Sequence, residues 1–268
     1  MNKIAVVFDS AGTLLNMHRV IKDIEKGKLI YNIVSTDLVS RGQKCGLVVL
    51  HTDPETIIKA PKSQKISDFI KDHNIKIDVS CASSSVTKEE VLDTITKDNT
   101  TVDDLQEVLK SAEEKCKSYY YSGVGIIVNI QEKTIPYVIG TCGRLFLGVR
   151  ELMEELKKAK IDIYIASGDS TRNLMNLANC LDIPKDKVFS VATPKVKENI
   201  IKELKKKYKI VIMVGNGIND LLAIKAADIG ILTLQQAEKT PAILCKEADV
   251  IIKNIYEVLD IVLQVDRT

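Results

Sequence analysis

Three short apolar runs in this chain each stop at a polar, glycine-containing cluster, and that pairing restricts the fold more than any other feature. Residues 3–8 (Lys-Ile-Ala-Val-Val-Phe) end at Asp9-Ser10-Ala11-Gly12-Thr13. Residues 161–166 end at Ser167-Gly168-Asp169, and residues 209–214 at Gly215-Asn216-Gly217-Ile218-Asn219-Asp220. A continuous apolar run of this length suits a strand covered on both faces, as in a parallel sheet. Helical patterns lie between the runs. Val149, Leu152, Met153 and Leu156 share one face. Leu174, Leu177, Ala178 and Leu181 share another, behind a cap at Asp169 or Ser170, and Val196, Ile200, Ile201 and Leu204 form a third stripe. Residues 228–232 read as a further strand. This β-α-β-α rhythm predicts an α/β fold, a doubly wound parallel sheet.

The stretch 21–137 has a different texture. Gly46 to Leu50 reads as a strand, and Thr87-Lys88-Glu89-Glu90 is a capping box that opens a helix. Val102, Leu105, Val108, Leu109, Ala112 and Cys116 fall on one helical face. Residues 123–130 and 134–140 read as two strands joined by a Gln-Glu-Lys turn. The expectation is an α+β unit over 21–137, inserted into a core made of 1–20 and 138–268.

Composition excludes several partners. Lys plus Arg is 38 and Asp plus Glu is 36, a balance that supplies no basic groove for nucleic acid and no reason to seek an anionic membrane. Tryptophan is absent, so base-stacking platforms are not expected. No apolar run approaches the roughly 20 residues of a bilayer span. The cysteines at 45, 81, 116, 142, 180 and 245 are scattered with no Cys-x-x-Cys pair. With no export signal at the N-terminus they read as reduced thiols in a cytoplasmic protein. His18, His51 and His73 have no spaced partner that suggests a metal site. Nothing in the sequence fixes an oligomeric state.

If the three strands are parallel, their polar clusters share one sheet edge. In open α/β sheets, ligands bind outside the carboxyl ends of the strands. Glycines there admit an anion to backbone N–H groups, and helix N-termini add partial positive charge. Asp9 and Asp220 bring two carboxylates to that edge. Two adjacent carboxylates call for a divalent cation, and Mg²⁺ prefers such oxygen ligands. Carboxylates, a hydroxyl, a lysine and a metal around an anion pocket imply phosphoryl transfer.

These residues resemble the haloacid-dehalogenase-like (HAD) superfamily of phosphohydrolases, and within it the soluble relatives of P-type ATPases. The motifs are Phe8-Asp9-Ser10-Ala11-Gly12-Thr13-Leu14, Ile165-Ala166-Ser167-Gly168-Asp169, Thr193-Pro194-Lys195-Val196-Lys197 and Met213-Val214-Gly215-Asn216-Gly217-Ile218-Asn219-Asp220. Four motifs in this order are specific where each alone is weak. The resemblance implies a Rossmann-like core, with the insert as a cap that selects the substrate. It implies Asp9 as the nucleophile that forms an aspartyl-phosphate. Ser167 would donate to a phosphoryl oxygen, and Lys197 would offset the charge of Asp9 and the phosphoryl group. Gly12, Thr13, Ser167, Gly168 and Asn219 would cradle the phosphate. Mg²⁺ would be held by Asp9, the Ala11 carbonyl, Asn216 and Asp220.

Three departures stand out. Most phosphatases of the superfamily carry a second aspartate two residues after the nucleophile, where this chain has Ala11. P-type ATPases have threonine there, and phosphonate-cleaving relatives alanine. A placed acid–base group contributes on the order of 100- to 10,000-fold, so hydrolysis is expected to be slow. Asn216 stands where the family has a metal-binding aspartate, and an amide is the weaker ligand. The pumps' acid-x-x-Arg turn is replaced by Gly143-Arg144-Leu145-Phe146.

The reading is a Mg²⁺-dependent phosphohydrolase acting on a small phosphorylated metabolite. Two alternatives stay open: a HAD-fold binding or regulatory protein with weakened catalysis, and a phosphonate or ATP hydrolase. Arg19, Arg41 and Lys44 are candidate contacts to a second anionic group. Lys195 reads as solvated.

Overall fold

The computed structural model describes residues 4–31, 35–116, 119–236 and 240–266. Lys3, which opens the first apolar run, and both ends of the expected core lie outside the described residues. The elements begin with β1 (Ile4–Phe8), β2 (Leu15–Asp23), β3 (Lys28–Tyr31), α1 (Ser35–Arg41), β4 (Cys45–His51), α2 (Pro54–Lys59) and α3 (Ile66–Asp72). They continue with β5 (Lys76–Ala82), α4 (Lys88–Lys97), α5 (Val102–Lys115), β6 (Tyr121–Asn129), β7 (Thr134–Leu145), α6 (Val149–Lys158) and β8 (Asp162–Ala166). The remainder is α7 (Thr171–Cys180), β9 (Val188–Phe189), α8 (Pro194–Leu204), β10 (Ile210–Gly215), α9 (Leu221–Ala226), β11 (Ile229–Thr233), α10 (Ala242–Glu247), β12 (Val250–Ile252) and α11 (Glu257–Asp266).

The chain forms two compact units, one from Met1–Met17 and Gly143–Thr268, the other from His18–Cys142. The first holds a sheet in the order β12-β11-β10-β1-β8-β9, in which every pairing is parallel. β1 lies between β10 and β8, with Val7 opposite Met213 on one side and Tyr164 on the other. All five β1 residues are buried, which is why the strand is apolar throughout rather than alternating. Ala5, Val7, Tyr164 and Met213 pack on Ile200, Ile201 and Leu204 of α8 and on Ala223 and Ile224 of α9. Each large aliphatic buried this way contributes roughly 1.5–3 kcal/mol relative to exposure. On α6 the expected stripe of Val149, Leu152, Met153 and Leu156 is buried.

Of two expectations about these helices, the first is narrowed and the second needs correction. Ser170, not Asp169, caps α7, because its side chain accepts from the Asn173 N–H. On α8, Val196 is 43% exposed and the buried stripe is Lys197, Ile200, Ile201 and Leu204. The spacing i, i+3, i+4, i+7 is kept, but a lysine occupies its first position.

The second unit is built on a sheet in the order β3-β2-β7-β6-β4-β5. β4 runs antiparallel to β5 and β6, and β2 antiparallel to β3. Val48 and Leu50 of β4 pack with Ile57 of α2, Phe69 of α3, Val91 of α4 and Leu105 of α5. Cys45, on the other face of β4, joins Leu38 and Val39 of α1. The capping box opens α4: Thr87 Oγ1 accepts from Glu90 N–H at 3.2 Å, and Glu90 Oε2 accepts from Thr87 N–H at 3.0 Å. Lys44 is engaged by Glu90 at 2.5 Å. The sequence division at 20/21 and 137/138 falls inside β2 and β7, which carry regular strand beyond the composition change.

Cys116 and Cys142 form a disulfide inside this unit, with Cα atoms 6.4 Å apart. This corrects the expectation of six reduced thiols; Cys45, Cys81, Cys180 and Cys245 are free. Bridging depends on Cα separation in the fold, and a 26-residue spacing carries no trace of it. Among the described residues, no helix is long and apolar enough to cross a membrane.

Candidate active site

Asp9 is the first residue past β1, and its N–H extends the ladder by bonding Val214 O at 2.9 Å. The chain then turns sharply: the Ser10 carbonyl accepts from Thr13, Leu14 and Leu15 N–H at 3.2, 2.9 and 2.9 Å. Gly12 sits at φ +84°, and a Cβ there would come within 2.2 Å of the Asn216 amide nitrogen. Only glycine satisfies both the backbone angle and the close approach. Thr13 Oγ1 donates to Asn216 Oδ1 at 3.3 Å. The first and fourth motifs therefore touch directly.

Lys197 enters from the first turn of α8. Thr193 caps that helix and Pro194 occupies its opening, where its missing N–H costs nothing. The Lys197 side chain is 3% exposed. Nζ donates to Asp9 Oδ1 at 2.6 Å and to Asp220 Oδ1 at 2.7 Å. Asp220 Oδ2 accepts from the N–H groups of Asn216 and Gly217 at 3.0 and 3.1 Å. A Cβ at Gly215 would stand 2.6 Å from this carboxylate, so the fourth motif folds tightly round its own acid. Among the described residues no hydrogen bond uses Asp9 Oδ2.

The electrostatics follow from burial. Asp9 and Asp220 are 6% and 2% exposed. Burial pushes the Asp9 carboxyl up to about 7, and the charge on Asp220 pushes the same way against the pull of Lys197. Burial works to lower the Lys197 ammonium, but Asp9 and Asp220 overcome it and hold it above the usual lysine range. Two buried carboxylates thus share one ammonium. Such a group is costly to assemble and collapses if one partner is removed.

Ser167 is the first residue past β8, its N–H bonded to Phe189 O and its carbonyl to Ala192 N–H at 3.0 and 2.9 Å. Its hydroxyl lies 3.0 Å from Ser10 Oγ. The structure therefore brings Asp9, Gly12, Thr13, Lys197, Asn216 and Asp220 into one contact set, with Ser167 joined to it through Ser10. Ala11 is half-buried in the turn. Gly168 and Asn219 are exposed at the ends of their motifs, and Asn219 makes no hydrogen bond with the described residues. Lys195 is held by Glu198 at the surface.

Sequence reasoning missed two residues. Ser10 is fully buried, and Asp169 accepts hydrogen bonds from both Ser10 and Ser167. Asp169 is one of the two candidate caps of α7 in the sequence; its position two residues after Ser167 is the signal for its other role.

Among the described residues, no cluster of three or more histidines, cysteines or acids is arranged to hold a metal. Any cation here would rest on Asp9 together with amide, backbone and water oxygens. Chemically, the cluster offers one carboxylate oxygen outside the internal bonds, an ammonium beside it, and a hydroxyl on the neighbouring strand end.

A haloacid dehalogenase-like hydrolase family model matches residues 5–228. A soluble P-type ATPase-like phosphatase of Methanocaldococcus jannaschii is 34% identical over 97% of this chain and 93% of that protein. A chloroplastic copper-transporting ATPase of Arabidopsis thaliana is 32% identical over 46% of this chain, which spans only 12% of the transporter. A solved structure of a phospho-aspartyl intermediate analogue of phosphoserine phosphatase covers 97% of this chain and 99% of its own, at 15% identity and a TM-score of 0.47. On the family match and the full-length relative, the chain belongs to the haloacid dehalogenase-like hydrolases, as an enzyme similar along nearly its whole length to a soluble P-type ATPase-like phosphatase.

Proposed function

We propose that this enzyme is a Mg²⁺-dependent phosphohydrolase that transfers the phosphoryl group of a small metabolite to Asp9 and then to water. The observation that carries this reading is the buried Lys197 bridge between Asp9 and Asp220, at 2.6 and 2.7 Å. Among the described residues no donor reaches Asp9 Oδ2, which suits a nucleophile. A carboxylate is a weak nucleophile, so alignment and charge neutralisation carry most of the acceleration. Lys197 supplies one positive charge against Asp9 and the incoming phosphoryl oxygens. Asp220 holds the lysine in place, and is itself fixed by the Asn216 and Gly217 amides.

The residues present fit a hard divalent cation. Two carboxylates against one ammonium leave a buried negative charge; burial first, and the Asp220 charge second, raise the Asp9 carboxyl to about 7. Asp9, the Ala11 carbonyl and Asn216 Oδ1 are the oxygens that would hold it. Asp220 is taken up with Lys197 and backbone amides, so its part is electrostatic. When bound, Mg²⁺ supplies charge neutralisation and orients the phosphoryl group. The amide of Asn216 makes that hold weaker than a carboxylate would. Ala11 offers no acid or base, so turnover is expected to be slow.

The test is hydrolysis of a generic aryl phosphate by the full chain with and without Mg²⁺. Release of phosphate that needs Mg²⁺ and falls at least about a thousandfold in Asp9→Asn is the expected result. Equal rates in the parent and Asp9→Asn would end the reading.

A further inference from the structure

Ser10 and Ser167 are 0% and 2% exposed, and neither hydroxyl is used by the secondary structure. Both Ser10 and Ser167 donate to a single oxygen, Asp169 Oδ2, Ser167 at 2.8 Å. The Asp169 N–H donates back to Ser167 Oγ at 3.2 Å. Asp169 is held in turn by Val191, whose N–H bonds the Asp169 carbonyl at 3.0 Å. Val191 accepts a φ of +53° to make that bond, an unfavourable angle for a β-branched residue. The two hydroxyls thus hold one carboxylate oxygen, while Ser167 and Val191 fix the Asp169 backbone.

A serine hydroxyl has one proton to give. The phosphohydrolase reading gives the Ser167 proton to a phosphoryl oxygen, whereas here it goes to Asp169. The two acceptors compete. We propose that Asp169 and Ser10 form a positioning pair that sets phosphoryl-anion affinity: Asp169 holds the Ser167 proton until a phosphoryl oxygen claims it, and Ser10 keeps Asp169 satisfied once it has gone. The inference rests on the reading that Ser167 meets a phosphoryl group, and adds the competitor for its proton. Without Ser10, release of that proton strands a carboxylate oxygen in a half-buried site, and anion binding bears the penalty. Without the Asp169 charge, Ser167 is free to donate and the anion meets less repulsion.

The two residues therefore act with opposite signs, which a merely structural role would not produce. Inorganic phosphate is titrated by calorimetry into the full chain with Mg²⁺ present, and its inhibition of aryl phosphate hydrolysis is measured alongside. Ser10→Ala is expected to weaken phosphate binding on the order of tenfold, and Asp169→Asn to tighten it about threefold or more. Since Ser10 acts through Asp169, the double variant should behave like Asp169→Asn. Asp169→Ala serves as the check in which no side-chain amide can donate to Ser167, and should also tighten binding. Weaker binding in Ser10→Ala, Asp169→Asn and Asp169→Ala alike, changes within about twofold in all of them, or no phosphate binding by the parent chain would overturn the inference. The two readings fail separately. A parent chain that hydrolyses nothing sinks the phosphohydrolase, while one that hydrolyses but shows same-sign shifts sinks only the competition for the Ser167 proton.

Discussion

Asp9 and Lys197 meet across 188 residues of chain, and Ser10 and Ser167 across 157. In the insert, by contrast, buried Thr94 bonds the carbonyl of Glu90 four residues back, and buried Asp23 accepts from Lys26 three residues on. The same residue types are put to different uses. A short-range bond in the insert closes a turn or a helical repeat, and its cost is recovered locally as secondary structure. The long-range bonds of the first unit close no element. They bring charged groups out of water to a shared point, which costs several kcal/mol per ion before attraction is counted. For these four contacts, burial alone does not tell the two uses apart, and the sequence distance to the partner does.

The sharpest way to break that contrast is Lys197→Met. It keeps the volume but leaves Asp9 and Asp220 facing each other without a cation, and should cost about 3–5 kcal/mol of stability. Chemical denaturation with Mg²⁺ chelated measures it, and a loss below about 1 kcal/mol would make the ion group incidental.

Next in size is the pH dependence. The folded Asp9 carboxyl stands at about 7 against 3.8 for an unperturbed one. Between those values the folded chain keeps a proton that the unfolded chain has released. The Asp9 contribution to stability is therefore fully present below 3.8 and is lost as pH rises through about 7. Melting curves in chelator should show this decline for the parent chain and a flatter profile for Asp9→Asn. Parallel profiles would mean that Asp9 is not strained by burial and by Asp220.

A smaller effect is expected from Asn216→Asp, which places a second carboxylate against the Gly12–Thr13 turn. Mg²⁺ should bind about tenfold tighter and turnover should rise. Unchanged metal dependence would remove Asn216 from the ligand set.

The smallest is Thr87→Ala in the insert. Loss of one short-range cap should cost about 1 kcal/mol and leave phosphate release per folded molecule as it was. A cost as large as that of Lys197→Met would erase the distinction between the two kinds of polar contact.

Much of the first unit was legible because β1, β8 and β10 are buried on both faces and so write themselves as apolar runs. Lys197 was legible only through the third motif, whose Pro-x-x-Lys spacing comes from the family resemblance and not from the helix pattern. What escaped was short or non-local. β12 has 3 residues and α10 has 6, too few for a period to show. β2 buries residues without regular alternation, so the β2–β3 hairpin had no pattern to betray it. The Cys116–Cys142 bridge and the Ser10–Asp169 bond depend on where distant segments come to rest, and a cap was the simpler reading of Asp169.

The most direct measurement is to quench the parent chain with acid during turnover of a phosphate-labelled substrate and map the label by peptide. The account expects the label on the peptide containing Asp9, in a form that hydroxylamine releases, and none in Asp9→Asn. Phosphate released by the parent chain with no label on Asp9, or with label on another residue, would contradict it.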